Sequence, residues 1–263
     1  MPSEAAATVA TWRLWVDLDG RPGWENMALD QAMLDRAGRG ETWLRLYRWA
    51  PHCLSFGRHE TALRRYDRAR IESLGLDVVR RPTGGRAVWH AEELTYAIAA
   101  PTDELGGLRQ AYHEIHAMLL DGLARLGIAG ALAPAGRPVG PGAGACFASP
   151  AGGEIMVGGR KAVGSAQLRE GAGLLQHGSI LLAGRQDVVH AVTRGGCPPD
   201  LAGSLTEYTG TALDPVQAAE AIAAAVADRW DGEWMRPDDC AGLLTEAAAY
   251  EARFRSPEWT WRA

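Results

Sequence analysis

A chain of 263 residues, 47% apolar and 22% charged, has ordinary globular usage and is long enough to bury a substantial core in one domain or two. Its net charge of −5 argues against the basic surface that broad nucleic-acid binding needs, and no run approaches the roughly eighteen uninterrupted apolar residues of a membrane span. The start MPSEAAATVATWRLW has no basic segment ahead of an apolar one, and Cys53, Cys146, Cys197 and Cys240 lack metal-ligand or redox spacing, so reduced thiols and a cytoplasmic location are expected.

In chain order, ENMALDQAMLDRAG sets Met27, Ala28, Met33 and Leu34 at helical spacing and closes on Gly38. TWLRLYRW reads as a strand, ETALRRYDRARIESLG as one helix ending at Gly75, and LDVVRR and LTYAIAA as strands. LRQAYHEIHAMLLDGLARLG repeats Leu108, Tyr112, Ile115, Leu119, Leu123 and Leu126 at steps of three and four before Gly127. Residues 133–153 are dense in Gly, Pro and Ala and read as a long loop, a type that tends to be functional. EIMVGG and GLLQHGSILLA follow as strands; DPVQAAEAIAAAVADRW opens a helix with Asp214 as cap and Pro215 in the first turn, and DDCAGLLTEAAAYEARF reads as a closing helix.

Several strands between 154 and 183 succeed one another without a helical gap, which predicts an α+β fold whose mainly antiparallel sheet is flanked by helices. One domain spans 1–263, with a core over about 10–235 and a helical segment at 238–263.

GGRKAVGSAQL holds the only lysine, Lys161, among 27 basic residues. An ammonium is a compact charge that can lose its proton, whereas a guanidinium is a planar fork that cannot, so a site needing a point charge resists replacement by arginine. The glycines around Lys161 let backbone approach a ligand closely. The segment is no phosphate loop, because the lysine does not lead directly into a hydroxyl residue and a helix. HEIH, His113 to His116, lacks zinc-protease spacing and reads as two surface histidines, and no metal is expected. RRPTGGRAVWH places a double glycine beside Arg81, Thr83 and Arg86, where N–H groups and cations can meet an oxygen. Cys146 lies in the glycine-rich loop fifteen residues before Lys161, and a nearby cation would favour its thiolate. Eight arginines between 58 and 86 (58, 64, 65, 68, 70, 80, 81 and 86) against four acids make a locally basic stretch, read as a solvated helix face or a docking patch for an acidic partner.

Together NMALDQAML, LRLYRWAPHCLSFG, RRPTGGRAVWH, ELTYAIAAP, ACF, GRKAVGSAQ and LLQHGSILL, in that order, resemble the lipoate and octanoate attachment family, whose catalytic domain is related to biotin protein ligases. The resemblance covers about Asn26 to Tyr208 and implies a biotin/lipoate protein ligase-like catalytic domain. ACF placed ahead of the lysine resembles the octanoyltransferase branch, and this implies Cys146 as nucleophile, Lys161 as its assistant, and no cofactor or metal. It further implies substrate contacts at Arg81, Thr83, Gly84, Gly85, Arg86, Ala87 and His90, and at Gly164, Ser165, Ala166, His177 and Gly178. Implied partners are octanoyl acyl carrier protein as donor and a lipoyl domain or glycine-cleavage H protein as acceptor, with no nucleic acid and no membrane. His177 or His90 would take the acceptor's proton. An ATP-dependent lipoate ligase, an amidotransferase between lipoyl-bearing proteins, and a non-catalytic acyl-binding module remain alternatives. Two departures stand out: Ala91, followed by Glu92 and Glu93, where the family often has an acid, and Arg86 where many ligases have a third glycine.

Overall fold

A computed structural model describes residues 11–134, 153–196, 202–230, 233–235 and 240–262; Cys146 and Cys197 lie outside them. In chain order the elements are β1 (Thr11–Arg21), α1 (Gly23–Ala37), β2 (Thr42–Trp49), β3 (Cys53–Phe56), α2 (Ala62–Arg65), α3 (Arg68–Ser73), β4 (Asp77–Arg80), β5 (Val88–His90), β6 (Glu93–Pro101), α4 (Leu108–Arg125) and β7 (Gly130–Leu132). After residues 135–152 come β8 (Ile155–Val157), β9 (Arg160–Glu170), β10 (Gly173–Leu181), α5 (Asp187–Val192), α6 (Leu205–Thr209), α7 (Pro215–Arg229), β11 (Glu233–Met235), α8 (Ala241–Ala248), α9 (Glu251–Arg255) and α10 (Pro257–Thr260).

The main sheet runs β11-β1-β2-β6-β10-β9-β8-β7. Its pairings are parallel on both sides of β1 and antiparallel at the other five, so the fold is α+β with a mainly antiparallel sheet. A small sheet, β4-β3-β5, stands beside it.

Side chains alternate across a strand, and the apolar clusters divide accordingly. Leu44, Leu46, Leu94, Ile98, Val163, Leu174 and Ile180 face α4 and α7, which supply Ile115, Leu119, Ile222 and Val226. On the opposite face Trp43, Ala97, Ala99 and Leu175 lie under Met27, Ala32 and Met33 of α1, and Leu243, Ala247 and Phe254 of α8 and α9 close the layer. Each buried Leu, Ile or Met contributes about 1.5–3 kcal/mol by leaving water.

One helix expected over residues 60–75 is two, α2 and α3. Tyr66 between them is extended and bridges to Thr193, while Asp67 donates its N–H to Val192 O and accepts from Arg70 N, capping α3. Pairing with the segment after α5 outweighs helix propensity there. The closing helix is likewise divided, at Ala249 and Tyr250 between α8 and α9.

Of the eight arginines in the basic stretch, Arg80 and Arg81 point inward. The Arg80 guanidinium donates to Gly57 O at 2.8 Å, Glu60 O at 2.7 Å, Trp259 O at 2.9 Å and Arg262 O at 3.1 Å. Burial, with Arg262 nearby, lowers its pKa to about 10. A buried cation surrounded by main-chain carbonyls ties the C-terminus to the loop after β3, where Trp261 packs on Phe56 at 5.3 Å. Arg80→Met should therefore lower unfolding free energy by on the order of 3 kcal/mol, since several carbonyls lose a charged donor. Urea denaturation checks the loss, and hydrogen exchange should rise over residues 257–262.

Candidate active site

A narrow cleft opens on the α1 face of the sheet, lined by Met27, Tyr47, Trp49, Arg81, Val88, His90, Thr95, Gly164, Ser165, Ala166, His177, Gly178 and Ser179. Its floor is the antiparallel pair β9–β10, in which Gly164, Ser165 and Ala166 oppose Ser179, Gly178 and His177. β8 pairs with β9 only as far as Val163, so Gly164 begins the part of β9 beyond β8. A second hollow, lined by Leu108, Tyr112, Gly153, Glu154 and Gln167, lies toward α4, and Ser165 and Ala166 border both.

His177 is held at both ring nitrogens: Nδ1 meets Asp30 Oδ2 at 2.7 Å and Nε2 meets Thr83 Oγ1 at 2.6 Å. Asp30 comes from the buried stripe of α1, and its Oδ2 also accepts from Tyr47 at 3.0 Å. Thr83 itself lies behind the imidazole rather than in the cleft wall.

A similar chain runs from Glu93 through His90 to Ser55. His90 Nδ1–H donates to Glu93 Oε1 at 2.7 Å, and Nε2 accepts from the Ser55 hydroxyl at 2.6 Å. Burial pushes the His90 imidazole below its ordinary pKa against the opposing pull of Glu93, which fixes this neutral tautomer. Thr95 and Ser179 also donate to Glu93, and Trp49 stacks on the His90 ring at 4.0 Å. The carboxylate that meets His90 is that of Glu93, at the start of β6, two residues beyond Ala91. His90 and His177 both have each ring nitrogen engaged by a protein side chain, so neither presents a bare nitrogen to a substrate amine.

Arg81 donates to Ser55 Oγ at 2.5 Å and to Arg86 O at 2.8 Å, closing the Thr-Gly-Gly turn. Gly85 has φ +93, and its carbonyl lies where a Cβ on Gly57 would be, at 1.9 Å, so both positions need glycine. Gly84 and Gly85 stand on the outer side of this turn, half-buried and exposed, and Arg86 is half-buried beside buried Ala87.

Lys161 is fully buried, with Nζ 2.5 Å from Glu154 Oε1. Glu154, rather than Lys161, borders the hollow toward α4. His116 is not on the surface as expected: it is buried, with Nδ1 at 2.6 Å from Gly153 O and Nε2 at 2.7 Å from Ser165 Oγ, while His113 is exposed. Burial, with Lys161 adding to it, lowers the His116 pKa to about 4. No cluster of three metal-ligating side chains occurs among the described residues, and no described helix is long and apolar enough to cross a membrane. Cys146 is outside the described residues, so its place relative to Lys161 is not part of this geometry.

Sequence reasoning passed over Asp30, Ser55, Glu93, His116 and Glu154. Asp30 was signalled by an acid in the apolar stripe of α1, three residues after Met27.

The site is thus a sheet floor with the Asp30–His177 pair at a cleft on the α1 face and the buried Lys161–Glu154 pair on the side of the neighbouring hollow toward α4. The pattern of the lipoyl protein ligase A/B catalytic domain matches residues 22–227, and the chain belongs to that family, on its LipM-like side. An octanoyltransferase LipM of Kyrpidia tusciae is 34% identical over 96% of this chain and 99% of its own. One from Symbiobacterium thermophilum is 44% identical over 65% of each chain, so the matched segment spans just under two thirds of that relative. A putative lipoate protein ligase of T. acidophilum with bound lipoic acid superposes with a TM-score of 0.80 at 17% identity, covering 95% of this chain and 99% of its own, and shares the fold.

The His116 imidazole gives this fold a definite acid sensitivity. Unfolded, it takes a proton near 6.5; folded, near 4. Stability is whole above pH 6.5 and declines as pH falls through the interval to 4, by about 3 kcal/mol in all. Urea midpoints measured at steps between pH 7.5 and 4 should show that decline, and His116→Gln should flatten its slope by about one proton's worth.

Proposed function

We propose that the protein is an octanoyltransferase of lipoate biosynthesis, a single cytoplasmic catalytic domain over 1–263. It takes an octanoyl group from acyl carrier protein and delivers it to a lysine of a lipoyl domain or glycine-cleavage H protein. The observation that carries this reading is the LipM relative aligned over nearly the whole of both chains. Cys146 fifteen residues before the sole lysine supports it.

In the first half-reaction the Cys146 thiolate attacks the carrier thioester carbonyl. A C–S bond to Cys146 forms, the C–S bond to the carrier breaks, and the carrier thiolate takes a proton from solvent. In the second, the neutral ε-amine of the acceptor attacks the enzyme thioester. A C–N bond forms, the Cys146 C–S bond breaks, and the amine's proton goes with the departing thiolate or to solvent. The Lys161 ammonium favours the thiolate and the oxyanion electrostatically, and the β9–β10 floor positions the carbonyl. Substrate contacts fall to Arg81, His90, Gly164, Ser165, Ala166, His177 and Gly178 in the cleft wall, supported by Thr83, Gly84, Gly85, Arg86 and Ala87 behind it. The acyl tail lies along Met27, Tyr47 and Val88, apolar members of that wall.

Mixing the protein with octanoyl carrier protein in the absence of ATP should add one octanoyl mass, and Cys146→Ser should abolish it. Adenylate formation from free acid and ATP instead would overturn the reading in favour of a ligase. Hexanoyl donor, two methylenes shorter, should lose about 1.6 kcal/mol of binding, roughly a 15-fold rise in apparent Kd.

An acidic carrier suits the part of the basic stretch that reaches solvent: Arg64, Arg68 and Arg70 are exposed and Arg58 and Arg65 half-buried, and Arg58 N donates to Thr83 O of the Thr-Gly-Gly turn. Arg64→Glu with Arg65→Glu should slow carrier-dependent turnover about tenfold and flatten its dependence on salt. Stopped-flow acylation at several ionic strengths reads both.

A further inference from the structure

On the α4 side of the sheet a line of polar groups, buried at Gln176, Tyr96 and His116 and half-buried at Gln167 and Ser165, crosses an otherwise apolar layer. Gln167 Nε2 donates to Gln176 Oε1 at 2.8 Å, and Gln176 Nε2 donates to the Tyr96 hydroxyl oxygen at 2.9 Å. Tyr96 and Ser165 hydroxyls lie 2.6 Å apart, Ser165 Oγ and His116 Nε2 2.7 Å, and His116 Nδ1 and Gly153 O 2.6 Å.

Only one direction satisfies every member. A main-chain carbonyl can only accept, so His116 carries its proton on Nδ1 and Nε2 must accept. Ser165 spends its single proton on that nitrogen. Tyr96 therefore donates to Ser165, and its own oxygen receives Gln176. The chain of donors runs from Gln167 to Gly153 and cannot be reversed while the imidazole is neutral.

Such a line is costly to keep among Leu174, Ile180 and Val163, where apolar side chains would be as stable or more so. Its last acceptor is informative. Gly153 has φ +89, its N–H donates to Ala133 O at 2.9 Å, and a Cβ there would stand 3.2 Å from Tyr112. The next residue is Glu154, whose carboxylate holds the Lys161 ammonium. Gly178 lies beside the same line: a Cβ on it would stand 2.5 Å from Gly164 O, 2.7 Å from Ser165 Oγ and 2.8 Å from Tyr96, so glycine leaves room there for both the β9 backbone and the two hydroxyls.

We propose that His116 is a positioning residue for Lys161: the relay from Gln167 to Ser165 locks its tautomer, its Nδ1–H fixes the Gly153 carbonyl, and that carbonyl sets Glu154 against the ammonium. The kinetic half of the proposal rests on the octanoyl-transfer reading; the structural half does not.

Because Lys161 is the only lysine, the full chain grown with [13Cε]lysine gives one side-chain resonance that reports its surroundings. His116→Asn keeps an amide N–H near the Nδ1 position and so the bond to Gly153; His116→Gln keeps its amide near Nε2 and so the bond to Ser165. The resonance of His116→Asn should coincide with that of the unaltered protein, and the resonance of His116→Gln should be displaced or split. Gly153→Ala, strained at positive φ and pressed toward Tyr112, moves the same carbonyl without touching the imidazole and should displace the resonance too. With octanoyl carrier protein, His116→Gln should lose about tenfold in kcat with KM unchanged, while His116→Asn stays within about threefold.

An unmoved resonance in both His116→Gln and Gly153→Ala overturns the proposal, as does an equal displacement in His116→Asn and His116→Gln, or a loss confined to KM. An unaltered protein that takes up no octanoyl group, yet shows these resonance changes, removes the transfer reading and leaves the positioning role standing.

Discussion

The clamp on His177 joins the parts of the molecule that the cleft needs together. Asp30 belongs to α1, His177 to β10 of the main sheet, and Thr83 to the turn after the small sheet, and two hydrogen bonds of 2.7 and 2.6 Å connect them through one ring. Asp30 is itself anchored from below. Arg45, fully buried on β2, lies 3.7 Å from its other oxygen, 2.6 Å from Asp17 and 2.7 Å from Asn26 Oδ1. Asp17 is held in the charged form, for although burial raises its pKa, Arg45 and Arg21 together bring it below the ordinary carboxylate range. Charges enclosed this way tolerate no missing member, because the partner left behind would be buried and uncompensated. The orientation of the cleft imidazole is therefore set by the ionic centre of the fold, and local flexibility in the turn would have to work against that centre.

Polar residues lie on both faces of β10, and that is unusual for a central strand. His177 and Ser179 look toward α1, Gln176 toward α4, and all three are buried. Each face has found a complete set of partners: Asp30, Thr83 and Glu93 on one side, Gln167 and Tyr96 on the other. The strand that separates them from solvent is β9, and past Val163 it has left β8 behind. The cleft and the hollow toward α4 consequently meet around the backbone of Ser165 and Ala166. A carbonyl brought to that edge is within reach of groups organised on both sides of the sheet, which a cleft on one face alone could not arrange.

The strongly periodic helices were legible because burial of one face writes a period of three to four into the sequence, as in α4. The Thr-Gly-Gly turn was legible because few residues tolerate Gly85 at φ +93. The split of α2 from α3 was not, since it depends on Tyr66 pairing with Thr193, far along the chain. β1 also went unread, although Trp12 and Leu14 alternate with exposed or half-buried residues, because a single half-buried strand next to charged residues resembles a loop start. The hidden part of the site has a common cause. Asp30, Glu93, His116 and Glu154 are ionisable residues that a sequence reader assigns to the surface, and only their partners explain their burial, whether 147 positions away, as His177 is from Asp30, or seven, as Lys161 is from Glu154.

The one ammonium among so many guanidinium groups now has a physical account. At position 161 the side chain is wholly enclosed, and its Nζ lies 2.5 Å from Glu154 Oε1. A guanidinium would bring five N–H donors in a fixed plane into that space, each needing an acceptor or incurring a desolvation cost. Arg80 shows what such a group requires, for its buried fork is surrounded by carbonyls of two chain segments. At Lys161 the main chain of β9 is engaged by β8 on one side and by the bridge to Ala202 on the other, and Lys161 O accepts from Gly203 N. A point charge on a flexible stem fits there, and it keeps the capacity to exchange a proton that an arginine lacks.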